Sequence, residues 1–132
     1  MIIAGKTVVG QKFAENEIYV ARTMPGFAGS PLANPYPLSM KLDYLHVAIL
    51  KSVGVVSSYG DKAERREVIP MYRVWLWTKI RERGPEYEEL LRIARLEKSG
   101  ATIRLMCWCA PLPCHVAIIA SAVDWAIDTG LV

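Results

Sequence analysis

The sequence has little charge, few cysteines and none of the common nucleotide or hydrolase signatures. Only 22% of its 132 residues are charged, against 52% apolar. A disordered tail needs the opposite balance, so the chain has the material for a core. The three cysteines all lie between Cys107 and Cys114, which is no framework for a disulfide-stapled secreted domain. They read instead as one local site. No Asp, Glu, Lys or Arg occurs from Thr23 to Met40 or from Leu105 to Val123. The first stretch holds four prolines, and the second holds Pro111, Pro113 and His115, so neither makes a regular spanning helix. Met1 to Lys6 has no basic head and no signal-peptide apolar run. A soluble, cytoplasmic chain with no membrane partner is therefore expected. GxGxxG, Walker, HExxH and GxSxG patterns are absent, which disfavours the ordinary dinucleotide, P-loop, zincin and hydrolase-fold enzymes. The length suits one domain, residues 1–132.

The net charge of +3 is unevenly spread. Lys62, Arg65, Arg66, Arg73, Lys79, Arg81 and Arg83 crowd one segment, whereas no basic residue follows Arg104. The segment reads as a solvated helix face or as a patch for phosphate or nucleic acid.

Ile2 to Val9 and Glu17 to Arg22 read as short strands. Residues 23–40 are proline- and glycine-rich loop. That is long for a connection in a compact domain, and its Phe27, Leu32, Tyr36 and Leu38 are expected to pack. Leu42 to Lys51 reads as a helix, followed by a strand over Val53 to Val56. Lys62 to Arg83 is helical toward its C-terminal end, with Pro70 expected in the first turn and Gly84-Pro85 as the stop. The next helix opens on Pro85 with acids in its first turn and ends at Ser99-Gly100. Thr102 to Trp108 is the best strand. Cys114 to Asp128 reads as a helix apolar on nearly all sides, hence buried or at a subunit interface, which makes a homo-oligomer one reading. The succession predicts an α/β fold, Rossmann-like in a loose sense: a small sheet covered by helices.

Cys107-Trp108-Cys109-Ala110-Pro111-Leu112-Pro113-Cys114-His115 is the one dense chemical signal. Alternation along a strand puts Cys107 and Cys109 on one face. Pro113 at a helix start would put Cys114 and His115 in the first turn, where the helix dipole favours a thiolate. The turn follows a strand, the end at which open α/β sheets bind ligands. Four readings stay open. Cys107, Cys109, Cys114 and His115 are suitable ligand types for zinc, although adjacent Cys114 and His115 give awkward geometry. Cys109 and Cys114 could form a redox pair or disulfide. Cys114 or His115 could act catalytically on a ligand at an anion-binding turn. The cysteines could also be small buried apolar residues, with His115 as a satisfied polar cap.

Tyr19 and Arg22, Asn34-Pro35-Tyr36, Tyr72-Arg73-Val74-Trp75-Leu76 and the cysteine turn occur in order along the chain. This series resembles the domain of unknown function 4326 family, which is found in microbes and their viruses. Its pattern is an Arg after an early strand, a Gly-Asn-Pro turn, a Tyr-Arg-x-Trp-Leu helix and a Cys-Trp-Cys-x-Pro-x-x-Cys-His ending. The resemblance spans residues 18 to 128. Two positions depart from it: Ala33 stands where the family has Gly, and Val116-Ala117-Ile118 follow His115 where members often carry an acid. The resemblance implies no particular activity.

Arg22 reads as a clamp for phosphate or carboxylate, or as an exposed strand-end arginine; the resemblance favours the clamp. Asn34 would orient a ligand or bind its own backbone. Tyr72, Trp75 and Trp77 would stack on bases or pack in the core. His46 reads as structural. The leading expectation is a nucleotide- or nucleic-acid-related protein. Its site would join Arg22, Asn34, Cys109, Cys114 and His115, with the amides at the start of the last helix helping to hold the anion. A non-catalytic interaction module with a zinc or disulfide at the cysteines is the alternative.

Overall fold

The computed structural model describes residues 1–109 and 112–132; the Ala110-Pro111 part of the expected turn lies outside the described residues. Seven elements follow one another: β1 (Ile2–Lys6), β2 (Glu17–Tyr19), α1 (Tyr44–Ser52), α2 (Arg65–Glu82), α3 (Pro85–Lys98), β3 (Ile103–Cys107) and α4 (Val116–Asp128). The strands form one open sheet in the order β1-β3-β2, with both outer strands parallel to β3. Ile2 pairs with Ile103 and Lys6 with Cys107 on one side of β3; Glu17 pairs with Arg104 and Tyr19 with Met106 on the other. Four of the five β3 residues are buried, as suits the central strand of a covered parallel sheet. The result is a small α/β domain.

Because β2 and β3 are parallel neighbours, their carboxyl ends lie side by side. The pairing runs on past β2, where the Val20 amide donates to the Met106 carbonyl at 3.0 Å. The chain leaving β2 and the chain leaving β3 therefore emerge from one end of the sheet. This single fact of topology brings residues 20–36 to the cysteine turn.

The helices follow local chemistry. α3 starts on Pro85, carries Glu86 and Glu88 in its first turn and Arg95 and Lys98 in its last, matching the helix dipole at both ends. α1 is capped by Asp43, whose Oδ1 accepts from the His46 amide at 2.8 Å while His46 Nδ1 accepts from the Asp43 amide. His46 is thus structural. α4 buries Val116, Ile118, Ile119, Ala122, Val123 and Ala126, so the apolar surface that suggested a subunit interface is largely used within the chain.

Several boundaries differ from the sequence reading. β1 stops at Lys6, with the Thr7 amide still donating to the Cys107 carbonyl at 2.8 Å before the turn at residues 9–10, and β2 stops at Tyr19. No strand forms over Val53 to Val56. Gly54 has φ +81°, and the Val55 amide returns to the Leu50 carbonyl at 2.9 Å, so these residues close the end of α1. α2 begins at Arg65, behind Glu64, whose amide donates to Glu67 Oε2 at 3.0 Å. Pro70 is consequently inside the helix, not in its first turn. α4 begins at Val116, leaving Cys114 and His115 just ahead of it.

The core has two parts. The larger joins β2 and β3 to α2, α3 and α4; the smaller gathers Leu42, Leu50, Ala63, Val68 and Met71 beneath α1 and α2. Phe27 and Leu32 of the long loop are buried as expected, whereas Leu38 is 43% exposed. Tyr72 is fully buried and so unavailable to a nucleobase; Trp77 packs edge-on against Trp125 at 5.0 Å.

Candidate functional site

A cleft of about 450 Å³ opens at the carboxyl end of the sheet. Three stretches of chain line it: the residues after β2 with the long loop, the start of α2, and both ends of the cysteine turn. Arg22, Asn34, Cys107, Cys109, Cys114 and His115, the residues singled out from the sequence, all lie on its wall. Tyr36 and Trp108 also line it, within the loop 22–36 and the turn 107–115 that the sequence joined into one site, whereas Arg65 was read only as part of the basic segment. Arg65 follows Lys62 in the basic segment, and nothing in the sequence singles it out from the other basic residues there.

The arginine wall is held from behind. Trp108 Nε1 donates to the Tyr19 hydroxyl at 2.8 Å, and that hydroxyl donates to the Arg22 carbonyl at 2.6 Å. Phe27 stacks on Tyr19 at 5.2 Å and meets Trp108 edge-on at 5.5 Å. The Arg22 backbone is thereby fixed while its guanidinium has no hydrogen-bond or ion-pair partner among the described residues. Arg65 ties the start of α2 to the cysteine turn on the cleft wall, its Nε donating to the Pro113 carbonyl at 3.1 Å. No Asp or Glu lines the cleft among the described residues. Asn34 Oδ1 accepts from the Tyr36 amide at 2.9 Å, the local turn expected of Asn, which leaves its Nδ2 as a donor.

His115 is buried, and its Nε2 meets the Val20 carbonyl at 2.6 Å. A carbonyl only accepts, so Nε2 carries the hydrogen. Burial lowers the imidazole pKa, the Val20 carbonyl opposes this, and the nearby Arg22 charge lowers it further. The ring is therefore neutral at neutral pH, lying edge-on to Tyr72 at 5.1 Å.

Cys107 Sγ and Cys114 Sγ are 3.2 Å apart. Cys107 is buried, while Cys109 and Cys114 are half-buried. The Cys107 contact is the largest influence raising the Cys114 pKa. Burial adds to it, and the hydrogen bond from the Val116 amide pulls the other way. This corrects the thiolate expected at a helix start: the helix amide is there, but the shared proton and desolvation outweigh it.

The structure also redraws the cysteine cluster. The sulfur in contact with Cys114 is that of Cys107, not Cys109. The chain leaves the strand after Cys107, so strand alternation no longer governs Cys109. Among the described residues no three His, Cys, Asp or Glu side chains are grouped to hold a metal ion. The zinc set Cys107, Cys109, Cys114 and His115 is not assembled, and His115 has given Nε2 to a backbone carbonyl.

Comparison with curated proteins and with solved structures gives no match. A family model, the domain of unknown function DUF4326, matches residues 4–125. That match covers most of the chain, from β1 into α4, and the chain belongs to the DUF4326 family.

Proposed function

We propose that the cleft binds a small anionic ligand with a flat, largely apolar body, of the nucleotide class. One observation carries the reading: Arg22 and Arg65 line the same cleft of about 450 Å³ with no carboxylate among the described lining residues. Two guanidiniums left without acidic partners favour phosphate or carboxylate strongly, because each offers a planar fork of donors. Val68, Ile69 and Leu38 give the rest of the wall an apolar character, and Tyr36 and Trp108 offer ring surface. The volume suits a mononucleotide rather than a long strand of nucleic acid. The neutral Cys114 thiol and the His115 imidazole then shape the pocket rather than add charge to it.

The test is thermal unfolding and calorimetric titration with nucleoside mono- and diphosphates, the matching nucleosides and inorganic phosphate. A ligand at 100 times its Kd stabilises the fold by about 2.7 kcal/mol, a readily measured shift. Phosphorylated ligands should shift the midpoint and nucleosides should not. Arg22→Gln should weaken binding tenfold or more, about 1.4 kcal/mol. If no member of the panel moves the wild-type midpoint, the reading fails.

A further inference from the structure

The anion reading leaves the thiols unused. They present a second chemistry. Cys107 closes the rigid central strand, and its side chain is 1% exposed. Cys114 sits in the non-helical stretch between Pro113 and α4, half-buried and on the cleft wall. Their sulfurs are 3.2 Å apart, in contact but not bonded. A disulfide bond is about 2.05 Å long, so the two need to approach by only about 1 Å. Cys114 belongs to no helix or strand, so no helical or sheet hydrogen bond has to break for that approach. Cys109 also lines the cleft, yet it makes no sulfur–sulfur hydrogen bond among the described residues.

We propose that Cys107 and Cys114 form a reversible dithiol–disulfide couple that exchanges two electrons with low-molecular-weight disulfides entering through the cleft. Cys114, the accessible member, loses its proton to solvent and attacks one sulfur of the small disulfide. A mixed disulfide forms, and one small thiolate departs. The Cys107 sulfur then attacks Cys114 Sγ and expels the second thiolate, its own proton passing to water. The two protein thiols are oxidised by two electrons and the small disulfide is reduced to two thiols. Atoms and charge balance with no metal or further cofactor. The pairing stands apart from the anion reading, since it rests on the sulfur contact and not on either arginine.

The experiment equilibrates the reduced full chain with mixtures of reduced and oxidised glutathione, quenches with acid, alkylates with N-ethylmaleimide and records the intact mass. All three cysteines follow Arg104, the last basic residue, so one tryptic fragment contains them and variants must assign the pair. The wild type should lose two hydrogens and take up one maleimide where the reduced chain takes up three. Cys109→Ser should still lose two hydrogens, with the same midpoint, and take up no maleimide. Cys109→Ala serves equally if the serine variant is not folded by circular dichroism. A Cys109 variant that stays reduced in mixtures that oxidise the wild type overturns the pairing. So does a wild type that gains glutathione adducts without losing two hydrogens.

Discussion

His115 Nε2 and the Val20 carbonyl oxygen meet at 2.6 Å, and this bond ties the stretch before α4 to the end of β2. Each partner belongs to a chain segment leaving the same end of the sheet. Val20 is also held from the strand side, its amide donating to Met106. The bond therefore braces the back of the cleft: Arg22 follows Val20 by two residues, and Cys114 precedes His115 by one. Its geometry requires a hydrogen on Nε2, and burial together with the nearby Arg22 charge, outweighing the Val20 carbonyl, keeps the ring neutral.

Stability should fall in mild acid on account of His115. Its folded pKa lies below the ordinary 6.5, so below that pH the unfolded chain binds a proton that the folded chain resists. Unfolding then takes up protons, and stability rises with pH up to the unfolded value. The neutral-ring contribution is complete above pH 6.5 and is lost as pH falls through the folded pKa. His115→Phe should lower stability at pH 7.5 by about 1–3 kcal/mol, because it leaves the Val20 carbonyl without its side-chain donor. It should also flatten the dependence between pH 7 and 5. Urea midpoints across that range for both proteins check this; parallel profiles would show that the ring does not titrate as its surroundings require.

Tyr72→Phe isolates a second buried tie. The Tyr72 hydroxyl donates to the Leu32 carbonyl at 2.6 Å, fastening α2 to the long loop. Both residues are fully buried, so no water replaces the lost donor. A loss of about 1–3 kcal/mol is expected from denaturant unfolding, with the aromatic packing kept. A loss below about 0.5 kcal/mol would mean that the loop holds to α2 without this bond.

How much of this was legible in the sequence depends on how local each signal is. α3 is bounded by Pro85 and Ser99-Gly100, β3 by its apolar run and α4 by its composition; each could be read from adjacent residues. The convergence of Arg22 with the cysteine turn was expected from two strand-to-loop junctions but not readable, because it depends on β2 pairing in parallel with β3, which no local signal encodes. Val53 to Val56 misled because β-branched residues around a glycine read alike as a strand or as a helix ending. Only the absence of a neighbouring edge decides between them. α2 starts before its apolar period because a capping Glu pair, not hydrophobicity, begins it. The partner of Cys114 was not legible, since the turn returns its sulfur to Cys107 through tertiary geometry that spacing alone does not encode.

Gly29 should not tolerate a side chain. A Cβ there would stand 2.5 Å from Thr23 Oγ1 and 2.9 Å from the Thr23 backbone nitrogen. The Gly29 amide also donates to Thr23 Oγ1 at 3.1 Å, so the two loop strands are already pinned together. Gly29→Ala should cost about 1–3 kcal/mol by forcing them apart. Adding Thr23→Ala should recover only part of that loss, since the backbone clash stays. Full recovery in the double variant would place the whole conflict on the hydroxyl.

Trp108 should report on occupancy of the cleft. It lies on the cleft wall, whereas Trp75, Trp77 and Trp125 do not. Its indole is fixed by the bond to Tyr19 and by Phe27, so a bound ring system would meet a surface already in place. Ligand that shifts the unfolding midpoint should therefore change tryptophan fluorescence in the wild type and equally in Trp75→Phe. Trp108→Phe should abolish the fluorescence response. By calorimetry the same variant should weaken affinity only a few-fold, about 1 kcal/mol or less, because Phe keeps a ring while losing area and the donor to Tyr19. A response that survives in Trp108→Phe would locate the ligand elsewhere on the molecule.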